Sequence, residues 1–214
     1  MFFLMIVGII YVEQGQRRIP IQFAKRVRGR KVMGGQSTYI PLKVNSAGVI
    51  PVIFATSILF FPALVATSLP QDNSVTAAIR NWIDVNLANS QGTTWFYIFF
   101  LGILIIFFTY FYTTIQFDPV RQSDMIRRQG GFIPGVRPGI STTNYLSHIL
   151  NRITLPGSIF LASVAVLPSI ASAIWDIPLG FSGISILITV GVALETMKQI
   201  ESQLSMRNYE GFID

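Results

Sequence analysis

Long stretches without a charged residue constrain this chain more than any other feature. VNSAGVIPVIFATSILFFPALVATSLPQ separates Lys43 from Asp72, and VNLANSQGTTWFYIFFLGILIIFFTYFYTTIQF separates Asp84 from Asp118. ITLPGSIFLASVAVLPSIASAIW lies between Arg152 and Asp176. IPLGFSGISILITVGVAL follows up to Glu195, and the apolar pattern runs on past it. Crossing a bilayer core of about 30 Å takes roughly 20 apolar residues in a helix, and each run supplies them. In lipid every backbone polar group must be paired within the segment, so these runs predict helices. They are continuous rather than alternating, which excludes the strands of a membrane β-barrel. Spans are predicted at 46–68, 95–117, 149–173 and 183–204, in an all-α polytopic membrane protein. Only 12% of the residues are charged, against roughly 25% in soluble domains.

The N-terminal run FFLMIVGIIYV is apolar but stops at Glu13. Residues 1–12 would extend about 18 Å as a helix, too short to cross. No basic n-region or small-residue cleavage site marks a secretory signal. The run reads as the second half of a membrane helix that begins upstream, and the chain as a piece of a longer protein.

Charge orients the spans. Segment 13–45 carries Arg17, Arg18, Lys25, Arg26, Arg28, Arg30, Lys31 and Lys43 against the single acid Glu13. Segment 118–148 carries Arg121, Arg127, Arg128 and Arg137 against Asp118 and Asp124. Segment 69–94 has only Arg80 with Asp72 and Asp84, and segment 174–182 only Asp176. Basic and charge-poor loops alternate, and the positive-inside rule places 13–45, 118–148 and the tail 205–214 in the cytoplasm.

The basic loops are large enough to carry structure. RIPIQFA and STYIPLKV predict a two-stranded hairpin with a basic tip, although Pro20 and Pro41 limit its ladder. Asp118–Pro119 reads as helix stop and restart, and VRQSDMIRRQ as a short amphipathic helix ended by Gly130 and Gly131. FIPGVRPG then forms a stiff loop presenting Arg137. In SVTAAIRNWIDVNLAN, the residues Val75, Ile79, Trp82, Ile83 and Leu87 recur at helical spacing and suit a membrane interface. Seven of the first loop's eight basic residues fall between Arg17 and Lys31. A projecting cationic tip suits phosphate backbones, an acidic protein face or anionic lipid.

Within the spans, charged residues fall only toward the ends: Arg152 at the start of 149–173, and Glu195, Lys198 and Glu201 in the second half of 183–204. Ion-coupled transporters usually carry ionisable groups at membrane depth. Pro51, Pro62, Pro156 and Pro168 interrupt helical hydrogen bonding inside spans, as kinks or as hinges. HExxH, GxSxG and Walker patterns are missing, and so are cysteines. His148 stands near a helix entrance. No enzyme activity, metal or cofactor is implied.

The strings YVEQGQRRIPIQFAKR, GGQSTYIPLKVNSAGVIPVIFA, FDPVRQSDMIRRQGGFIPGVRPG and NRITLPGSIFL occur in this order. Together they closely resemble the C-terminal half of the bacterial SecY family, the central subunit of the Sec protein-conducting channel. The resemblance covers essentially the whole chain. It implies a five-helix half of a pseudo-symmetric channel, helices six to ten, with the first lacking its start.

The resemblance also implies roles. Ile53 in VIPVIFA and Ile188 in ISILITV match positions of an aliphatic pore ring, which stays dewetted until a polypeptide fills it. Ser57, Phe61 and Pro62 match one face of a lateral gate through which signal sequences leave to lipid. Arg17, Arg18, Lys25, Arg26, Arg28, Arg30 and Lys31 match a loop that docks at the ribosome exit. Arg137 matches an arginine used by the ribosome and the SecA motor. The implied partners are SecE, SecG, SecA, the ribosome, signal sequences and nascent chains, the lipid bilayer, and an N-terminal half supplied in cis or as a separate chain. The implied location is the bacterial plasma membrane. Two other readings compete: half of a secondary small-solute transporter, and a pore-less membrane docking scaffold.

Overall fold

The computed structural model describes residues 2–23, 26–28, 31–33, 37–68, 74–87, 94–175 and 183–210. Helix α1 (Phe2–Gln14) leads into strand β1 (Gln16–Phe23), the short strands β2 (Arg26–Arg28) and β3 (Lys31–Met33), and strand β4 (Ser37–Lys43). Helices α2 (Ile50–Ser68), α3 (Ser74–Asn86), α4 (Trp95–Gln116) and α5 (Pro119–Arg128) follow. Strand β5 (Gly131–Phe132) and helices α6 (Ile140–Trp175) and α7 (Gly183–Glu210) complete the chain. Among the described residues, four apolar helical segments are long enough to cross a membrane; they fall on α2, α4, α6 and α7.

Helix α6 is the centre of the bundle. Of its most apolar stretch 56% is buried within the protein, against 22% for α7. It packs on both α4 and α7, while α1 lies against α6 and α7. The contact with α7 depends on a missing side chain and a missing proton. Pro168 has no N–H to give the Val164 carbonyl four residues earlier. Gly183 approaches that carbonyl so closely that a Cβ would stand 2.5 Å from it. The membrane core thus joins Met5 and Ile9 of α1 to Val52 and Leu59 of α2, Leu101 and Ile105 of α4, Leu161 and Val164 of α6, and Leu187 of α7.

A second core lies at one end of the bundle. Ile19, Ile21 and Leu42 from the sheet pack with Ile126 of α5, Ile133, and Leu146 and Ile149 of α6. This core explains why α6 begins at Ile140, ahead of the apolar run at 149–173. Residues 140–148 are polar overall, and Leu146, fully buried, fixes them to the sheet. At 1.5 Å per residue the 36-residue helix reaches about 54 Å, far beyond the hydrocarbon core. Helix α7 likewise runs on to Glu210, so Glu195 sits inside a helix rather than near its end. Helix α2 begins at Ile50 instead of 46, because residues 44–49 form turns, with Gly48 at φ 64°.

The sheet is larger than a hairpin. Strand β1 pairs antiparallel with β4 from Gln16↔Lys43 to Gln22↔Ser37, and its other edge takes β5 through Gln22↔Phe132. Strands β2 and β3 form a separate ladder beyond it. The prolines fit because of where they fall. Pro41 lies in the edge strand β4, and β5 meets β1 only at Gln22 and Phe23, past Pro20. Neither position demands a central-strand N–H.

Candidate functional site

Helix α2 divides into two faces. Val52, Ala55, Leu59, Ala63 and Ala66 recur every three or four residues and are buried. The opposite face is open: Ile53 is 46% and Phe61 66% exposed, and Ser57 between them is exposed too. Residues 53, 57 and 61 are spaced by four, so they form one stripe along the helix. The Ser57 hydroxyl donates to the Ile53 carbonyl at 2.8 Å, and the Thr56 hydroxyl to the Val52 carbonyl at 3.0 Å. The hydroxyls are thereby satisfied within the helix, and such back-bonding favours bending. One turn on, Pro62 deprives the Ile58 carbonyl of its helical donor. The open stripe is therefore largely apolar, on a helix weakened near its middle. Phe54 stacks on Phe108 of α4, with ring centroids 6.1 Å apart.

Helix α7 brings Ile188, 36% exposed, to the same level. Gly191 sits beside Val49, whose Cγ2 would be 3.4 Å from a Cβ at 191. The chain leaves the sheet at Lys43 and enters α2 at Ile50, while α7 returns toward the sheet. Lys43 lines a cleft of about 420 Å³ with Glu13, Gly191, Glu195 and Lys198. Ile53 lies one turn beyond Val49 and Ile188 one turn before Gly191. On oppositely directed helices, that places both isoleucines at one depth.

The basic residues form a second surface at the sheet end. Arg17 and Arg18 are exposed on β1, opposite Leu42 and Pro41. Arg26 and Arg28 belong to β2 and Lys31 to β3; Lys25 and Arg30 lie outside the described residues. Arg137 is exposed on a loop whose backbone is pinned. The Thr142 hydroxyl donates to the Arg137 carbonyl at 3.0 Å, and the Ser123 hydroxyl to the Gly139 carbonyl at 3.1 Å. Gly135 at φ 81° and Gly139 at φ 110° make the reversals. Helix α5, which supports this loop, starts on an Asp118 cap that accepts from the Val120 N–H at 2.9 Å. Because β5 pairs with β1, the hairpin and the Arg137 loop are one body. Arg17, Arg18 and Arg137 form no ion pair among the described residues.

Comparison with known proteins places the chain in a family. The family model for SecY matches residues 1–197. The chain belongs to the SecY family. It is 53% identical over 215 residues to the protein translocase subunit SecY of Streptomyces scabiei, covering 98% of this chain and 47% of that protein. The SecY of Mycobacterium tuberculosis strain H37Rv is 50% identical over 218 residues, at 98% and 48% coverage. The chain thus spans about half the length of the curated relatives it matches. A solved structure described as that of a protein conducting channel matches with a TM-score of 0.57 at 17% identity, covering 94% of this chain and 47% of that one. Another, on the plug domain of SecY, matches with a TM-score of 0.56 at 15% identity, at 94% and 48% coverage. At those identities the likeness speaks for the fold alone, that of about half of each of those chains.

Sequence reasoning left several joint-forming positions unassigned. Asn45, Thr142 and Gly157 hold the junctions around both surfaces. Asn45 stands in PLKVNSAGVIP and Gly157 in LPGS, but nothing local marks the bond of Asn45 to Glu13, 32 positions away, or the approach of Gly157 to Val44, more than a hundred away.

Proposed function

We propose that this chain forms the C-terminal half of the channel that carries unfolded secretory polypeptides across the bacterial plasma membrane and inserts membrane proteins into it. The observation that carries the reading is the open stripe Ile53–Ser57–Phe61 on α2, level with Ile188 on α7. An apolar constriction of this kind excludes ions while it is dewetted. Ile53 and Ile188 would supply this half of the ring. Ser57, Phe61 and the Pro62 break would form one wall of a lateral exit for signal sequences.

The rest of the chain fits around that pore. The sheet and the Arg137 loop would lie in the cytoplasm and receive the ribosome or the SecA motor. Arg17, Arg18, Lys25, Arg26, Arg28, Arg30 and Lys31 would meet ribosomal RNA phosphates through charge-assisted hydrogen bonds. SecE and SecG would complete the complex, and an N-terminal half, in cis or as a separate chain, would close the ring.

Ion conductance of the assembled complex in planar bilayers tests this reading. Replacing Ile53 and Ile188 with Asn is expected to hydrate the constriction and raise the resting leak. A leak equal to that of the unaltered protein would overturn the pore and leave a docking scaffold.

A further inference from the structure

We propose that α3 is a membrane-interface anchor. It would hold the end of α2 farthest from the sheet to the lipid headgroup layer of the adjacent leaflet. The helix is amphipathic in a way its protein neighbours do not use up. Val75, Ile79 and Trp82 are 70%, 47% and 52% exposed, and their spacing of four and three puts them on one side. Arg80 and Asp84 lie on the opposite side and pair at 3.7 Å. Leu87, just past the helix, packs against the membrane core, and α3 itself rests on α2.

Continuity with a lipid-facing surface identifies the occupant of the open stripe. Helix α4 exposes Trp95, Phe99, Ile103, Phe107 and Phe111, one every four residues along a membrane-spanning helix. The ring of Trp82 meets Phe96 edge-on at 5.6 Å, and Phe96 stacks on Phe100 at 5.7 Å. The Thr94 hydroxyl donates to the Val85 carbonyl at 3.0 Å, joining the end of α3 to the start of α4. The apolar side of α3 therefore runs without a break into the lipid-facing side of α4. Trp82 and Trp95 stand where the two meet, and tryptophan is enriched at the membrane–water interface. A polar side carrying an ion pair and an apolar side carrying Trp is the pattern of a helix lying in the interface plane.

This inference needs only that α4 spans a membrane, and so stands apart from the channel reading. The protein contains no cysteine, so single cysteines can be introduced at Ile79 and at Asp84. Each is coupled to an environment-sensitive fluorophore, and the membrane-assembled protein is reconstituted in nanodiscs with cysteine-free partners. The fluorophore at position 79 is expected to be quenched by phospholipid brominated near the headgroup. It should also resist aqueous iodide. The fluorophore at position 84 should show the reverse. Equal iodide quenching at both positions would place α3 in water. Protection of position 79 from both quenchers would mean that protein, not lipid, covers the stripe. Either result overturns the proposal.

Discussion

The Asn45 side chain donates to the Glu13 carboxylate at 3.0 Å, joining residues 32 positions apart. The same Asn45 amide group reaches the Gly48 carbonyl at 3.3 Å. Nearby, the Val44 N–H donates to the Gly15 carbonyl at 2.9 Å. Through these bonds the end of α1, the end of β4 and the start of α2 become one joint. The basic sheet and the open stripe of α2 are thus joined at this point.

Replacing Asn45 with Ala should cost about 2 kcal/mol, the scale of a hydrogen bond to a charged group plus the desolvation of a partner left unpaired. Asn45→Asp should cost more, because it keeps the shape but sets a second carboxylate beside Glu13. Adding Glu13→Gln to Asn45→Asp should recover much of the loss. Thermal unfolding of the detergent-solubilised variants measures this order; an Asp variant as stable as the Ala variant would remove Glu13 from the account.

Gly157 makes a second prediction. A Cβ there would stand 2.6 Å from the Val44 carbonyl, which belongs to the same joint. Gly157→Ala should destabilise by about 2 kcal/mol through overpacking against backbone that cannot turn aside. Gly102, with nothing within 4 Å of its would-be Cβ, provides the control. Gly102→Ala should leave stability unchanged or raise it by up to ~1 kcal/mol through helix propensity. Equal effects at the two positions would show that the approach of α6 to Val44 is not tight.

The contrast between these glycines shows what was legible in the sequence. The spans were readable because lipid imposes a single rule, and unbroken apolar runs obey it. The Asp118–Pro119 restart was readable because a cap and a fixed φ act locally. The starts of α2 and α6 were not, since they depend on Asn45 reaching Glu13 and on Leu146 entering the sheet core. Strand β5 was hidden for the same reason, being two residues long and existing only as a partner of Gln22 and Phe23. Ile53, Ser57 and Phe61 could be named from the family resemblance. That they share an open face depends on which side of α2 the alanines bury against its neighbours.

The Arg137 loop should depend on Thr142 for position and on Arg137 for contact. Thr142→Val removes the hydroxyl that holds the Arg137 carbonyl and should speed amide hydrogen exchange across 133–139, leaving the spans protected. Arg137→Glu should leave that exchange unchanged, because the side chain is exposed and unpaired among the described residues. On the proposed function it should still impair protein export. Normal export in the Arg137→Glu variant would remove this residue from the docking surface.

The basic sheet makes the last prediction, and salt dependence decides among its possible partners. If Arg17 and Arg18 meet ribosomal RNA, each phosphate contact adds about 0.7–0.9 to the slope of log affinity against log salt. Arg17→Gln with Arg18→Gln should then lower that slope by roughly 1.4–1.8 in ribosome co-sedimentation. Folding should be unaffected, since both side chains are exposed and neither forms an ion pair among the described residues. An acidic protein face would respond differently. It has no condensed counterion layer to release, so binding would weaken with little change in slope. A fall in affinity at constant slope would therefore reassign the sheet from RNA to a protein surface.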